Sequence, residues 1–135
     1  MAEYTNVAAQ TVDTNQNVLF TDPAIFCEGG IVHRTGSGQF SLKGGRKYLV
    51  MFNADITNAT AADVVSLALA INGEPIAATT MAYTPATAGV SNSVSAFTEI
   101  KVPACTNYTL SVINNNANAV TVSFANLIIK KECAA

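Results

Sequence analysis

The chain has 135 residues, of which half are hydrophobic and only 12% are charged, and its net charge is -2. This length fits one domain with a sizeable core, and the charge content is about half of the roughly 25% typical of globular proteins. No basic stripe is present, which argues against nucleic acid as a partner. No apolar run approaches the ~18 residues of a spanning helix, which argues against a membrane partner.

Short strands are predicted from the first third of the chain onward. "VLF" at 18–20, "GIVHRT" at 30–35 and "QFSLK" at 39–43 are rich in the residue types that fit a pleated sheet, and Gly or Asp-Pro turns separate them. The next segment, "KYLVMFNADI" at 47–56, alternates with a period of two, which is typical of a strand and not of a helix. The alternation predicts one buried face made of Tyr48, Val50, Phe52, Ala54 and Ile56.

An unusually apolar segment follows, Val64–Ile71, in which only Ser66 is polar, and Asn72-Gly73 ends it. Asn-Gly favours a type I′ hairpin turn, because both of its residues accept positive φ. The segment is therefore predicted to be a strand with Val65, Leu67, Leu69 and Ile71 in the core. Its other face carries Ala68 and Ala70, and a strand that is apolar on both faces is usually covered on both. We expect a neighbouring subunit or a neighbouring strand to cover this second face, and Ala68→Arg to disrupt assembly before it disrupts the fold.

Three more strands complete the set: "SAFTEIKV" at 95–102, "YTLSVI" at 108–113 and "AVTVSFANLIIKK" at 119–131. The last predicts one face made of Val120, Val122, Phe124, Asn126 and Ile128. A helical turn at Ala59–Asp63 is too short to change the fold class. Many short strands at regular spacing predict an all-β, antiparallel sandwich or barrel.

Few residues carry chemistry. The single histidine, His33, lies in no nucleophile motif and is predicted to be structural. The cysteines Cys27, Cys105 and Cys133 lack zinc spacing; they allow one disulfide plus a free or interchain thiol, or three idle thiols. The amides and carboxylates at 13, 15, 17 and 22 do not have the spacing of a calcium loop. We therefore predict no catalytic residue, no metal, no cofactor and no enzymatic activity.

Four pieces of the sequence carry a resemblance to a known family: Gly36–Leu42, Tyr48–Ile56, Ser66–Ile76 and Val120–Lys130. Their order resembles the trimeric jelly roll of the complement C1q and tumour necrosis factor class, over about residues 17–131. It is most similar to bacterial and phage variants, such as the exosporium glycoprotein of spore-forming bacteria and small stand-alone proteins of Firmicutes and their phages. The turn before Tyr48 is one residue longer than in that pattern.

The resemblance implies a two-sheet jelly-roll sandwich at 17–135 that forms a homotrimer. Residues 1–16 are then expected to be an N-terminal arm that docks on a neighbour's sheet edge. The strands that are apolar on both faces are the expected trimer interface. The interface candidates are Tyr48, Val50, Phe52, Ala68, Ala70, Val122, Phe124 and Ile128.

Two functions remain open at this point. The first is a structural protein that decorates a phage virion, as a capsid decoration or head-fibre protein, with the major capsid protein or another virion component as its partner. The N-terminus lacks the features of a signal peptide, which favours synthesis in the host cytoplasm. The second is a bacterial cell-surface or spore-coat domain that binds carbohydrate or a host receptor. A pocket lined by Tyr83, Asn92 and His33 would favour the second function.

Overall fold

The computed structural model describes residues 1–58 and 64–134, and within them the chain forms eleven strands in two antiparallel sheets. The first sheet has the order β1-β11-β5-β9, with β2 also paired to β11. Its strands are β1 (Ala2–Asn6), β2 (Gln10–Val12), β5 (Arg46–Thr57), β9 (Ser91–Val102) and β11 (Val120–Ala134).

The second sheet has the order β3-β4-β10-β6-β7, with β8 also paired to β6. Its strands are β3 (Ile31–His33), β4 (Phe40–Lys43), β6 (Val65–Ile71), β7 (Glu74–Pro75), β8 (Met81–Tyr83) and β10 (Asn107–Asn114). One 3₁₀ turn lies at Ala77–Thr79. No helix among the described residues is long and apolar enough to cross a membrane. The helical turn predicted at Ala59–Asp63 lies outside the described residues.

A single hydrophobic core fills the space between the sheets, and the period-two alternation of β5 supplies much of it. Tyr48, Val50, Phe52 and Ile56 have no exposed surface, whereas Met51 on the opposite face of the same strand is 43% exposed. The Tyr48 hydroxyl, at the buried end of the strand, donates to the carbonyl of Lys43 at 2.7 Å. The inward and outward faces predicted for this segment are therefore confirmed.

The hairpin after β6 is also confirmed. Asn72 and Gly73 both have positive φ, at 52° and 84°, and the pairs Ala70–Pro75 and Ile71–Glu74 enclose this two-residue turn. Val65, Leu67 and Leu69 lie in the core. Backbone and side chain of Asn72 both bond Thr109 of β10, which ties the turn to the next strand.

The second face of β6 is covered within the single chain. Ala68 and Ala70 have no exposed surface. Ile113 lies directly opposite Ala68 in the antiparallel pair, and Ser111 lies opposite Ala70, so larger side chains of β10 flank both methyl groups on the same face. Because Ala68 is buried within the single chain, we now expect Ala68→Arg to disturb the fold itself.

The face predicted for β11 is wrong beyond Val122, because a β-bulge interrupts the strand. Ser123 pairs with Asp55 and Asn126 pairs with Asn53, so Phe124 and Ala125 both lie opposite Ala54. The extra residue exchanges the two faces of the strand beyond it. Ala125, Leu127 and Ile129 are buried, and Phe124, Asn126 and Ile128 point outward.

The N-terminal part of the chain differs from two expectations. Residues 1–16, expected to be an arm, include β1 and β2, which are hydrogen-bonded to β11 of the same chain. Ala2 and Tyr4 fill the core, which explains why this segment stays on its own sheet. The segment at 18–20 is not a regular strand, although Val18 and Phe20 are buried and Asn17 forms an isolated bridge with Ile113.

We expect Ala68→Arg to lower the free energy of unfolding by about 3 kcal/mol or more, because a long charged side chain is placed where the alanine has no exposed surface. Val32→Arg is the matched control, since Val32 lies in the same sheet and is 68% exposed, and its effect should stay within about 0.5 kcal/mol. Denaturant titration measures both. An unchanged unfolding midpoint for Ala68→Arg would show that this face is open to solvent.

Candidate interaction surface

The outer face of the first sheet carries a row of apolar side chains that crosses its strands. In register, Met51 of β5 lies between Ile128 of β11 and Phe97 of β9. Phe97 is 60% exposed, Met51 is 43% exposed and Ile128 is half-buried. We call Met51, Phe97 and Ile128 the apolar row. Directly opposed residues of adjacent strands have side chains in contact distance, so these three form one continuous patch.

A shallow hollow lies beside the apolar row. Its volume is about 160 Å³, and Met1 and Leu49 line it together with the apolar row and the stem of Lys130. Lys130 lies opposite Leu49, and Glu99 lies opposite Leu49 on the other side. Charged groups therefore border an apolar centre, which is the arrangement found at protein interaction sites.

Polar side chains further along the same face satisfy one another. Ser93 Oγ donates to Asp55 Oδ1 at 2.8 Å, and the hydroxyls of Thr57 and Ser91 lie 2.6 Å apart. Asn126 Nδ2 donates to Glu3 Oε2 at 2.7 Å. The polar part of the face is thus internally bonded, whereas the apolar row has surface that only a partner would remove from water.

The strand at the edge of this sheet is uncharged over most of its length. Among the described residues, β9 pairs only with β5. Between Ser91 and Thr98 it carries neither a charged residue nor a proline. Exposed edges of this kind template association with another chain unless they are charged, bulged or covered. The uncharged edge lies next to Phe97, so one partner could cover both.

Phe124 is a second exposed aromatic on the first sheet, and its backbone is strained. It is 60% exposed, and its φ of 52° lies in the left-handed region that non-glycine residues rarely adopt. Its N–H donates to the carbonyl of Val7 at 3.2 Å, between β1 and β2. The bulge therefore interrupts β11 and its pairing with the N-terminal strands at the same point.

The eight predicted interface residues fall into two groups. Tyr48, Val50, Phe52, Ala68, Ala70 and Val122 have no exposed surface in the single chain and pack inside it. They have no area left for a partner, so their place in an interface is corrected to a place within the fold. Phe124 and Ile128 point outward, and their role in an interface stays a prediction.

Sequence reasoning missed Leu49, Met51 and Phe97. The first two were visible as the second apolar face of β5, opposite the face chosen for the interface. Phe97 could not be joined to them from the sequence, because the register between β5 and β9 is a long-range property.

Tyr83, Asn92 and His33, whose common pocket would have favoured the second function, do not line one pocket. Burial raises the pKa of Tyr83, and a hydrogen bond with Asn92 partly offsets that rise, so these two residues are in contact. The Tyr83 hydroxyl donates to the carbonyl of Ile56 at 2.7 Å. His33 lies at the other edge of the sheet, four strand spacings or about 19 Å away.

His33 is held by structural contacts. Its ring stacks on Phe40 with centroids 4.2 Å apart, and Tyr4 approaches it edge-on at 4.8 Å. Its Nε2 lies 2.9 Å from the carbonyl oxygen of Ser37. A ring stacked on one face, met edge-on by Tyr4 and engaged at one nitrogen is positioned as part of the β3–β4 packing.

The described residues contain no cluster of three His, Cys, Asp or Glu side chains suited to a metal. Asp22, one of the four residues at 13–22 weighed for calcium, instead accepts from Thr5 Oγ1 at 3.2 Å and from the N–H of Val7 at 3.0 Å. Cys27 and Cys105 are exposed free thiols, and the side chain of Cys133 lies outside the described part.

No protein-family model and no curated protein sequence matches the chain. Solved structures do. The Eiger tumour necrosis factor of S. frugiperda superposes with a TM-score of 0.77 at 14% identity, over 100% of this chain and 94% of that one. The globular domain of the zebrafish complement 1qA protein superposes with a TM-score of 0.66 at 14% identity, over 94% of each chain. The fold is the C1q/TNF-like jelly roll. At this identity the similarity establishes the fold alone, and the jelly-roll class expected from the sequence is confirmed.

At position 124 we expect the usual stability order of alanine and glycine to be inverted. Glycine in a strand is normally about 0.5–1 kcal/mol less stable than alanine, but a left-handed φ costs an L-residue about 1 kcal/mol or more. Phe124→Gly should therefore unfold at higher denaturant than Phe124→Ala, by about half a kcal/mol or more once the two terms are subtracted. Ser123→Gly and Ser123→Ala, one residue away, form the control pair and should keep the normal order. An alanine variant as stable as the glycine variant would show that residue 124 is unstrained.

Proposed function

We propose that this chain is a non-enzymatic structural and interaction protein that assembles as a homotrimer through the outer face of its first sheet. The observation that carries the proposal is the apolar row beside the uncharged edge of β9. A monomer would leave Phe97 and Met51 about half exposed next to an uncharged stretch of a sheet edge.

A contact of the outer face of one copy against the β9 edge of the next would build a ring and not a two-fold dimer. The face of the sheet and the edge of β9 are different surfaces, so a contact of face against edge is heterologous. Heterologous contacts close into rings when the rotation permits. The resemblance of the sequence to trimeric jelly rolls selects three subunits. Covering the exposed half of each large apolar side chain contributes on the order of 1 kcal/mol, and a ring repeats this contribution at each contact.

The absence of enzymatic activity is supported by the structural hydrogen bonds and ring contacts of His33, Asp22 and Asp55. His33 is engaged by Phe40 and by the Ser37 carbonyl, and Asp22 and Asp55 accept hydrogen bonds from neighbouring strands and loops. A general acid or base needs a free position beside a substrate, and these groups are committed to structural bonds.

We further propose that the trimer decorates a virion, with the major capsid protein or another virion component as its partner. The support is the resemblance of the four sequence pieces to phage variants of this jelly roll. The outer face of the second sheet is not used by the proposed trimer contact and is available to meet a particle or a ligand.

Light scattering at micromolar concentration should give the mass of a trimer for the natural chain, and Met51→Glu should give the mass of a monomer. The glutamate places an unpaired carboxylate at the centre of the apolar row, where association would desolvate it. Val32→Glu, on the other sheet, should remain trimeric. A monomeric natural chain would overturn the proposal, and a trimeric Met51→Glu would move the contact to another face.

Mass spectrometry of purified phage particles from the producing strain tests the location. The protein should be present in stoichiometric amounts in intact particles and should survive washing at high salt. If the protein were recovered only in bacterial surface or spore fractions, the cell-surface or spore-coat function would be favoured instead.

A further inference from the structure

The second sheet carries a groove on its outer face that neither the core nor the proposed trimer contact uses. Its volume is about 590 Å³. Residues of β10 form the floor, the segment at 15–17 and Gln39 form one wall, and the Asn72-Gly73 turn closes the other side. The lining side chains are amides and hydroxyls together with Ile113, and none of the lining residues is ionisable.

The floor of the groove contains a hydroxyl that lacks a protein partner. Ser111 is only 3% exposed and lines the groove. No residue of the described part of the chain hydrogen-bonds its Oγ. Nearly buried polar groups are almost always bonded to protein, ordered water or a ligand. The Ser111 hydroxyl opens into the groove and is therefore free to bond a molecule that enters it.

The wall adds side-chain amides that are equally uncommitted. Asn15, Asn17 and Gln39 make no side-chain hydrogen bond to another described residue, in contrast to Asn72, whose Oδ1 accepts from the N–H of Thr109 at 2.9 Å. The chain holds Gln39 close to Asn17 because Gly38 lacks a side chain. A Cβ at Gly38 would lie 2.7 Å from Asn17 Cβ and 2.8 Å from the carbonyl oxygen of Val18, so any larger residue would push Gln39 away from Asn17 and break up this wall.

The chemistry of the lining selects one class of ligand. A carboxamide both donates and accepts, as does a serine or threonine hydroxyl, which matches the donor and acceptor pair on each hydroxyl of a sugar. The lack of ionisable lining residues gives no partner for a phosphate, a carboxylate or an ammonium group. Ile113 offers one apolar contact for the C–H face of a ring. We propose that this groove binds a neutral carbohydrate.

The size of the groove sets the scale of the ligand. Small-molecule sites in proteins span roughly 300–1,000 Å³, and a groove in this range accommodates a mono- or disaccharide. The lining includes no aromatic ring on which a sugar would stack. We therefore expect dissociation constants on the order of 1 mM, which corresponds to about four kilocalories per mole of binding free energy.

The test is a titration of ¹⁵N-labelled full-length protein with D-glucose, D-galactose, D-mannose and N-acetyl-D-glucosamine, followed by heteronuclear NMR. At least one sugar should shift the side-chain amide signals of Asn17, Gln39 and Asn72 in a saturable manner at millimolar concentration. No saturable shift up to 100 mM for any of the four, or saturable shifts confined to the first sheet, would overturn the proposal.

Two variants sharpen the result. Gln39→Ala and Ser111→Ala should each weaken the best sugar at least threefold while leaving the rest of the spectrum in place. Asn118→Ala removes an exposed amide outside the groove and should bind as the natural chain does. Equal affinity for all three variants would overturn the assignment of the site. A larger saturable shift with a neutral tripeptide amide than with any sugar would overturn the choice of ligand.

Sugar binding is expected to be independent of trimer assembly, because the groove lies on the second sheet and the proposed trimer contact lies on the first. Met51→Glu should bind the sugar with unchanged affinity whether or not it assembles. Loss of sugar binding in Met51→Glu, with its fold intact, would show that the groove is not complete in one chain and would overturn the proposal as stated.

Discussion

The pairing of β11 with β5 organises this jelly roll, because β11 bonds β1, β2 and β5 and thereby holds the N-terminal strands against the rest of the first sheet. The bulge at Phe124 is the decisive detail of that pairing. One extra residue exchanges the faces of the strand, so that Leu127 and Ile129 fill the core and Ile128 points to solvent. Without the bulge, Ile128 would turn inward and the apolar row would lose one of its three members.

The same bulge places the exposed side chain of Phe124 on the first sheet, and it does so by holding the Phe124 backbone at a strained, positive φ. Strained residues persist where the surrounding structure holds them, and they concentrate at functional positions. Phe124 is held because its N–H reaches Val7 in the interval between β1 and β2. Its exposure on the sheet that carries the apolar row is consistent with a contact made only in the assembled protein.

The two outer faces of the sandwich differ in chemistry. The first sheet presents methionine, phenylalanine and isoleucine beside an uncharged edge, and the second presents amides and hydroxyls around a concave floor of small residues. A chain with only 12% charged residues has little like-charge repulsion to keep copies apart. Association through one face and recognition through the other are therefore compatible in a single small domain.

Local patterns in the sequence determined much of this fold. The alternation in "KYLVMFNADI", the apolar run ended by Asn72-Gly73 and the order of the strand motifs predicted the all-β sandwich, the hairpin and the buried faces of β5 and β6. These properties depend on residues that are neighbours in the chain. The tertiary structure decided the rest. The bulge in β11 depends on how Phe124 and Ala125 share one partner in β5, the apolar row depends on the register of three strands, and the groove depends on the approach of Gly38 to Asn17. Each of these brings together residues that are distant along the chain, and period-two patterning carries no information about register between strands.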